Sequence, residues 1–168
     1  MIVFFCIIAA ALAVPDFTSM FHDELVTYID TVSTSTVGKY GVTPLHMLCL
    51  YEDTDNIVRL IEAGVDVNLQ NDRGNTPFHD CVHRMSHNLV IAEAFLGASY
   101  EIDTANIGGE TVFYMACYRQ SVELARLLLE HGANPYIHGS KNVVDIAYQY
   151  GNQALIDLLK EWNVELPQ

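Results

Sequence analysis

The sequence predicts an all-α fold, a solenoid of stacked helix-turn-helix units joined by hairpin loops. One observation is a recurring phrase: GVTPLHMLC at 41–49 returns as GNTPFHDCV at 74–82 and, degraded, as GETVFYMAC at 109–117. Another is its spacing. The threonines stand at 43, 76 and 111, so the periods are 33 and 35 residues, in the range typical of stacked repeats. The last is a second phrase that follows each copy of the first: NIVRLIEAGVDVN at 56–68, LVIAEAFLGASYE at 89–101 and VELARLLLEHGANPY at 122–136.

The first element is an apolar run. Ile2 to Ala13 holds twelve apolar residues and closes on Ala11-Leu12-Ala13, the small-x-small pattern of a signal-peptidase site, although no Lys or Arg precedes it. It is shorter than the roughly 20 residues that span a bilayer, so no membrane span is expected. Residues 1–13 are therefore read as a secretory signal peptide cut after Ala13, which implies secretion. The alternative is a buried N-terminal helix or a start-site extension in a cytoplasmic or nuclear protein.

Residues 14–37 form an N-terminal capping helix in this reading. DELVTYIDTV at 23–32 resembles an isolated second helix, with Leu25, Val26, Tyr28 and Ile29 matching Ile57, Val58, Leu60 and Ile61. Repeat units follow at 38–70, 71–105 and 106–137, and a capping repeat at 138–168, where Asn142 takes the threonine position. Thr43 and Thr76 suit helix N-caps, and Pro44 and Pro77 suit the first helical position, where a missing N–H costs little. Gly64, Gly97 and Gly132 are placed at left-handed helix ends. Each lies 21 residues after its threonine, which suggests a rigid core with a variable connector. The charged residues of LLKEWNVELPQ suit the polar outer face of a terminal unit, and no appended module is expected after residue 163.

These phrases, TPLH, a Val/Leu helix, then AGVDVN or HGANPY, resemble the ankyrin repeat over about residues 38–163. The resemblance implies stacked helix pairs with fingers projecting to one side, protein–protein recognition and no catalysis. It makes His46 and His79 structural ties between units. It also puts Cys49, Cys81 and Cys117 where small alanines usually pack. With Cys6 removed, three cysteines remain, an odd count that makes no disulfide framework. Stacked helices run roughly 8–10 Å apart, beyond the roughly 7 Å limit between bridged Cα atoms, so three free buried thiols are expected.

Other chemistry is set aside on similar grounds. With His79 a structural tie, His83 and His87 remain at i, i+4 spacing, but no third or fourth ligand converges with them, so no metal is expected. CxxC, HExxH, P-loop and GxSxG patterns do not occur, and no cofactor is expected. The net charge of −13 argues against a nucleic-acid partner.

Through the resemblance, a partner-binding set falls on the finger tips and the exposed ends of the first helices: Lys39, Tyr40, Tyr51, Arg73, Asn75, His83, Arg84, Glu110, Tyr118, Arg119, Lys141 and Tyr150. With its neighbours the set takes five of the eight Lys and Arg residues but only two of the 21 acids, Asp72 and Glu110. Tyr and Arg are favoured at binding hot spots. The expected partner is a protein with a neutral to acidic surface, bound on the concave face by a monomer. A short IκB-like inhibitor of a Rel/NF-κB-type transcription factor and a secreted ankyrin effector are the alternatives.

Overall fold

A computed structural model describes residues 15–31, 36–85, 88–137 and 139–164. The expected signal peptide, His87 and His138 lie outside these residues. Among the described residues there are nine α-helices: α1 His22–Thr31, α2 Pro44–Tyr51, α3 Thr54–Glu62, α4 Pro77–Met85, α5 Leu89–Gly97, α6 Val112–Tyr118, α7 Val122–Glu130, α8 Val143–Tyr150 and α9 Gln153–Glu161. Regular strands are absent from the described residues, and the fingers contribute one isolated bridge, Ala105 to Thr111. None of the described helices is long and apolar enough to cross a membrane.

After α1 the helices pair as α2–α3, α4–α5, α6–α7 and α8–α9. The first helices of the pairs stack in one row (α2, α4, α6, α8) and the second helices in another (α3, α5, α7, α9). Each helix is too short to persist alone in water, so the stack itself stabilises it. Leu45, Leu48, Phe78, Phe113 and Ile146 from the first row meet Ile57, Leu60, Phe95, Leu124, Leu128 and Leu155 from the second in one continuous core. Phe78 stacks on Phe95 with ring centroids 4.6 Å apart, and Tyr100 meets Phe78 edge-on at 5.1 Å. At the N-terminal end, Phe17, Leu25 and Ile29 close the core.

Caps set the helix starts. Thr43 accepts from the His46 N–H, Thr111 from Tyr114 and Asn142 from Asp145. Second helices start on Asp53, Asn88 and Asn152, each accepting from the N–H three residues on.

The caps also correct the repeat register. Gly97 is not a left-handed helix end; α5 runs through it, and the left-handed residue is Ser99, at φ 60°. Gly64, Ser99, Gly132 and Asn163 all have positive φ, and each lies 11 residues after the N-cap of its second helix. The invariant unit is therefore the second helix with its closing turn. The second repeat carries two extra residues between its helices, so its core spans 23 residues, Thr76 to Ser99, rather than 21.

The cysteines require a second correction. Cys49 and Cys81 are joined by a disulfide with Cα atoms 4.6 Å apart, and among the described residues only Cys117 is free. The spacing of roughly 8–10 Å holds between helix axes. Each Cα lies about 2.3 Å off its axis toward the partner, so facing Cα atoms come well within bridging range. Cys49 is the sixth residue after Thr43 and Cys81 the fifth after Thr76, and these two positions face each other across the α2–α4 interface. In the same register Cys117 faces Ala147, which offers no sulfur.

Candidate protein-binding face

Fingers link the units at their edges. In the two central fingers an Asn side chain organises the turn: the Asn71 Oδ1 accepts from the N–H groups of Arg73 and Asn75, and the Asn106 Oδ1 from those of Gly108 and Glu110. The tips bond in series, with the Asp72 N–H donating to the Tyr40 carbonyl at 2.8 Å and the Ile107 N–H to the Arg73 carbonyl at 3.1 Å. Their base is a half-buried polar chain. The Asn106 Nδ2 donates to the Asn75 Oδ1 and to Glu110, and the Asn75 Nδ2 donates to Asp80, each at 3.0 Å. Burial holds the Asp80 carboxyl above its usual range despite that bond.

Two buried imidazoles tie successive repeats. The Thr43 N–H donates to the His46 Nδ1, leaving Nε2 to donate to the Asn75 carbonyl at 3.0 Å. His79 repeats the arrangement with Thr76 and with the Glu110 carbonyl at 3.1 Å. Burial lowers both imidazoles to a pKa of about 4, so each is neutral near pH 7. In the third repeat Tyr114 stands at this position.

The twelve predicted residues separate into groups. Tyr51 is held by the N-terminal cap: its hydroxyl donates to the Met20 carbonyl, and His22 packs edge-on against its ring. Lys39 pairs with Asp16 at 3.0 Å. Asn75 and Glu110 belong to the polar chain at the finger base. Tyr40 and Arg73 line a cleft of about 420 Å³ with Met47, Leu50 and Asp80.

His83, Tyr118, Arg119 and Glu110 line a second cleft, of about 310 Å³, with Tyr114, Met115 and Ser140. The Arg119 guanidinium donates to the His83 Nδ1 at 2.6 Å. Burial, then the charges of Arg119 and Arg84, hold that imidazole below its usual pKa, which suits an acceptor. Tyr118 packs edge-on against Tyr150 at 6.0 Å and stacks with Tyr114 at 6.5 Å. Arg84 is exposed, and Lys141 donates to Gln149. Tyr114, Met115, Met47 and Ser140 were missed by sequence reasoning. Tyr114 and Tyr118, one helical turn apart, gave the available signal.

The charges divide by position. Lys39, Arg59 and Arg126 pair with Asp16, Asp30 and Glu161. The other five cations have no carboxylate within 4 Å among the described residues, although Arg73 and Arg84 act on Asp80 from farther away; four of the five, Arg73, Arg84, Arg119 and Lys141, lie on the face of first helices and fingers. The described residues contain no group of three or more His, Cys, Asp or Glu side chains arranged to hold a metal ion.

Short helix pairs, a row of fingers and side chains displayed on a shared face define a repeat scaffold for macromolecular contact. Two family profiles match the chain, one described as ankyrin repeats (many copies) over residues 28–79 and one as ankyrin repeat over 108–140. The chain belongs to the ankyrin repeat family, whose repeats are protein-interaction modules. It is 28% identical over 146 residues to the SMC5-SMC6 complex localization factor protein 1 of Bos taurus, covering 84% of this chain and 13% of that one. It is 33% identical over 88 residues to the ankyrin repeat protein FPV234 of Fowlpox virus (strain NVSL), covering 49% of this chain and 20% of the relative. Against the nuclear factor NF-kappa-B p105 subunit of Gallus gallus the identity is 29% over 108 residues, 63% of this chain and 11% of that one. The chain thus spans a fifth or less of the length of these relatives.

Proposed function

We propose that the chain is a non-enzymatic, monomeric adaptor or inhibitor that uses no cofactor and binds one protein through the concave face of its repeats. The carrying observation is that four cations of a chain with net charge −13 stand on this face with no carboxylate within 4 Å among the described residues. Leaving them unpaired is useful where a partner supplies the carboxylates, and opposite potentials steer association. The partner surface is therefore neutral to acidic. Tyr118 and Tyr150 beside Arg119 give it rigid amphipathic area to pack on.

Export is proposed on the apolar run Ile2–Ala13 and its Ala-Leu-Ala ending; the reading is then a secreted ankyrin effector. The likeness to the p105 subunit favours a second reading, a short IκB-like inhibitor of a Rel-type transcription factor, acting in the cytoplasm or nucleus.

The test is affinity capture with the wild-type chain and with the Arg84→Glu/Arg119→Glu variant, both checked for helical content. Loss of the same partner from the folded variant supports the concave-face reading, and undiminished capture refutes it. Recovery of the chain from the medium with a new N-terminus after Ala13 selects the secreted effector over the IκB-like reading.

A further inference from the structure

The Cys49–Cys81 pair lies beneath the proposed binding face and offers no surface to a partner. Both side chains are buried, at 0% and 2% exposure, between α2 and α4. Their backbones approach so closely, at 4.6 Å, that the interface suits either two small side chains or one bonded pair. Cys117 occupies the same repeat position as Cys49 and is an internal control. It faces Ala147, it is buried, and burial raises its thiol far above the usual range, so it is a poor nucleophile.

We infer that Cys49–Cys81 is a covalent modification carried by the mature protein, formed by thiol–disulfide exchange with a disulfide donor of the oxidoreductase or oxidised-glutathione class. One cysteine thiolate attacks the donor disulfide, giving a mixed disulfide and releasing one donor thiol. The second thiolate displaces the remaining donor thiol, so two electrons pass to the donor and one cystine forms. Because both sulfurs are buried once α2 and α4 have stacked, the exchange belongs to the stage before these repeats close. Reducing compartments keep such thiols apart, so the bond assigns folding to an oxidising compartment. The apolar N-terminal run points to the same compartment independently. The bond joins the two first helices that carry Leu50 on one side and His83 and Arg84 on the other, fixing their relative position before any partner arrives.

The experiment expresses the full chain in a eukaryotic cell and denatures the recovered protein directly in iodoacetamide without reductant. Peptide mass spectrometry then reads each cysteine. The expected result is a linked Cys49–Cys81 peptide pair with Cys117 alkylated. Alkylation of both Cys49 and Cys81 without prior reduction overturns the inference. A linked pair on a chain that keeps residues 1–13 supports the bond while refuting leader cleavage, so the two failures are told apart. The Cys49→Ala/Cys81→Ala variant restores the small side chains the interface accepts and removes only the link. Its Tm should fall by on the order of 10 °C, and an unchanged Tm overturns the stapling role.

Discussion

The His46 Nε2–H donates to the carbonyl of Asn75, the residue before the N-cap of the next first helix, at 3.0 Å. His79 makes the equivalent bond to Glu110. Both imidazoles must stay neutral, because Nδ1 is occupied as an acceptor from the threonine N–H.

Acid should therefore loosen the stack. Above the unfolded pKa of about 6.5, both histidines are neutral in the folded and unfolded chain, and stability is complete. Between that value and the folded pKa of about 4, only the unfolded chain takes up the protons, so stability falls as pH falls. The full loss approaches about 3 kcal/mol per histidine. Asp80, whose raised carboxyl acts in the opposite sense, offsets part of it. Urea midpoints at pH 7, 5.5 and 4.5 should decline in that order, and a flat series would sink the assignment.

Gly64 and Ser99 share a register position and a positive φ, but only one of them is a glycine. A Cβ added at Gly64 meets nothing within 4 Å, so Gly64→Ala should cost only its backbone preference, about 1 kcal/mol. Ser99→Gly should recover a similar amount. Opposite shifts in thermal midpoint check the register; shifts of the same sign count against it.

Gly74 has a different constraint. A Cβ there comes within 2.8 Å of the Ile107 backbone N in the next finger, on a backbone already at φ 73°. Gly74→Ala should cost roughly 2–3 kcal/mol, more than Gly64→Ala, because strain and the inter-finger contact fail together. Equal costs at the two glycines would show that the fingers do not pack this closely.

Tyr51→Phe tests whether that residue belongs to the cap or to the face. Removing the hydroxyl leaves the Met20 carbonyl without its donor and should lower stability by about 1 kcal/mol. Partner affinity, measured by titration calorimetry, should stay within twofold. A large loss of affinity with unchanged stability would return Tyr51 to the binding surface.

The repeat architecture was legible because its signals are local: threonine and proline at a cap, apolar spacing along a helix and a recurring histidine. The true register in the second repeat was not, because Gly97 imitates a helix end by falling 21 residues after Thr76. Only the Asn88 cap shows that the helix starts and stops two residues later than expected. The disulfide escaped for a related reason. Comparing helix axes hides the fact that the sixth position of one unit faces the fifth of the next. On the candidate face, residue types could be read from the pattern, but partners could not. Asp16 beside Lys39 and Met20 beneath Tyr51 come from the N-terminal cap, which the repeat pattern does not describe.

The ties between first helices are graded along the stack. A cystine and a buried imidazole join the first repeat to the second, and between the second and third the imidazole recurs without a cystine. Tyr114 replaces the histidine at the seam between third and fourth. Thermal breathing should therefore begin at the C-terminal unit and travel inward. Tyr118 and Tyr150 touch across that last seam. A protein bound over them acts as a splint, and its arrival should register as slowed amide exchange in α8 and α9 before it registers anywhere else.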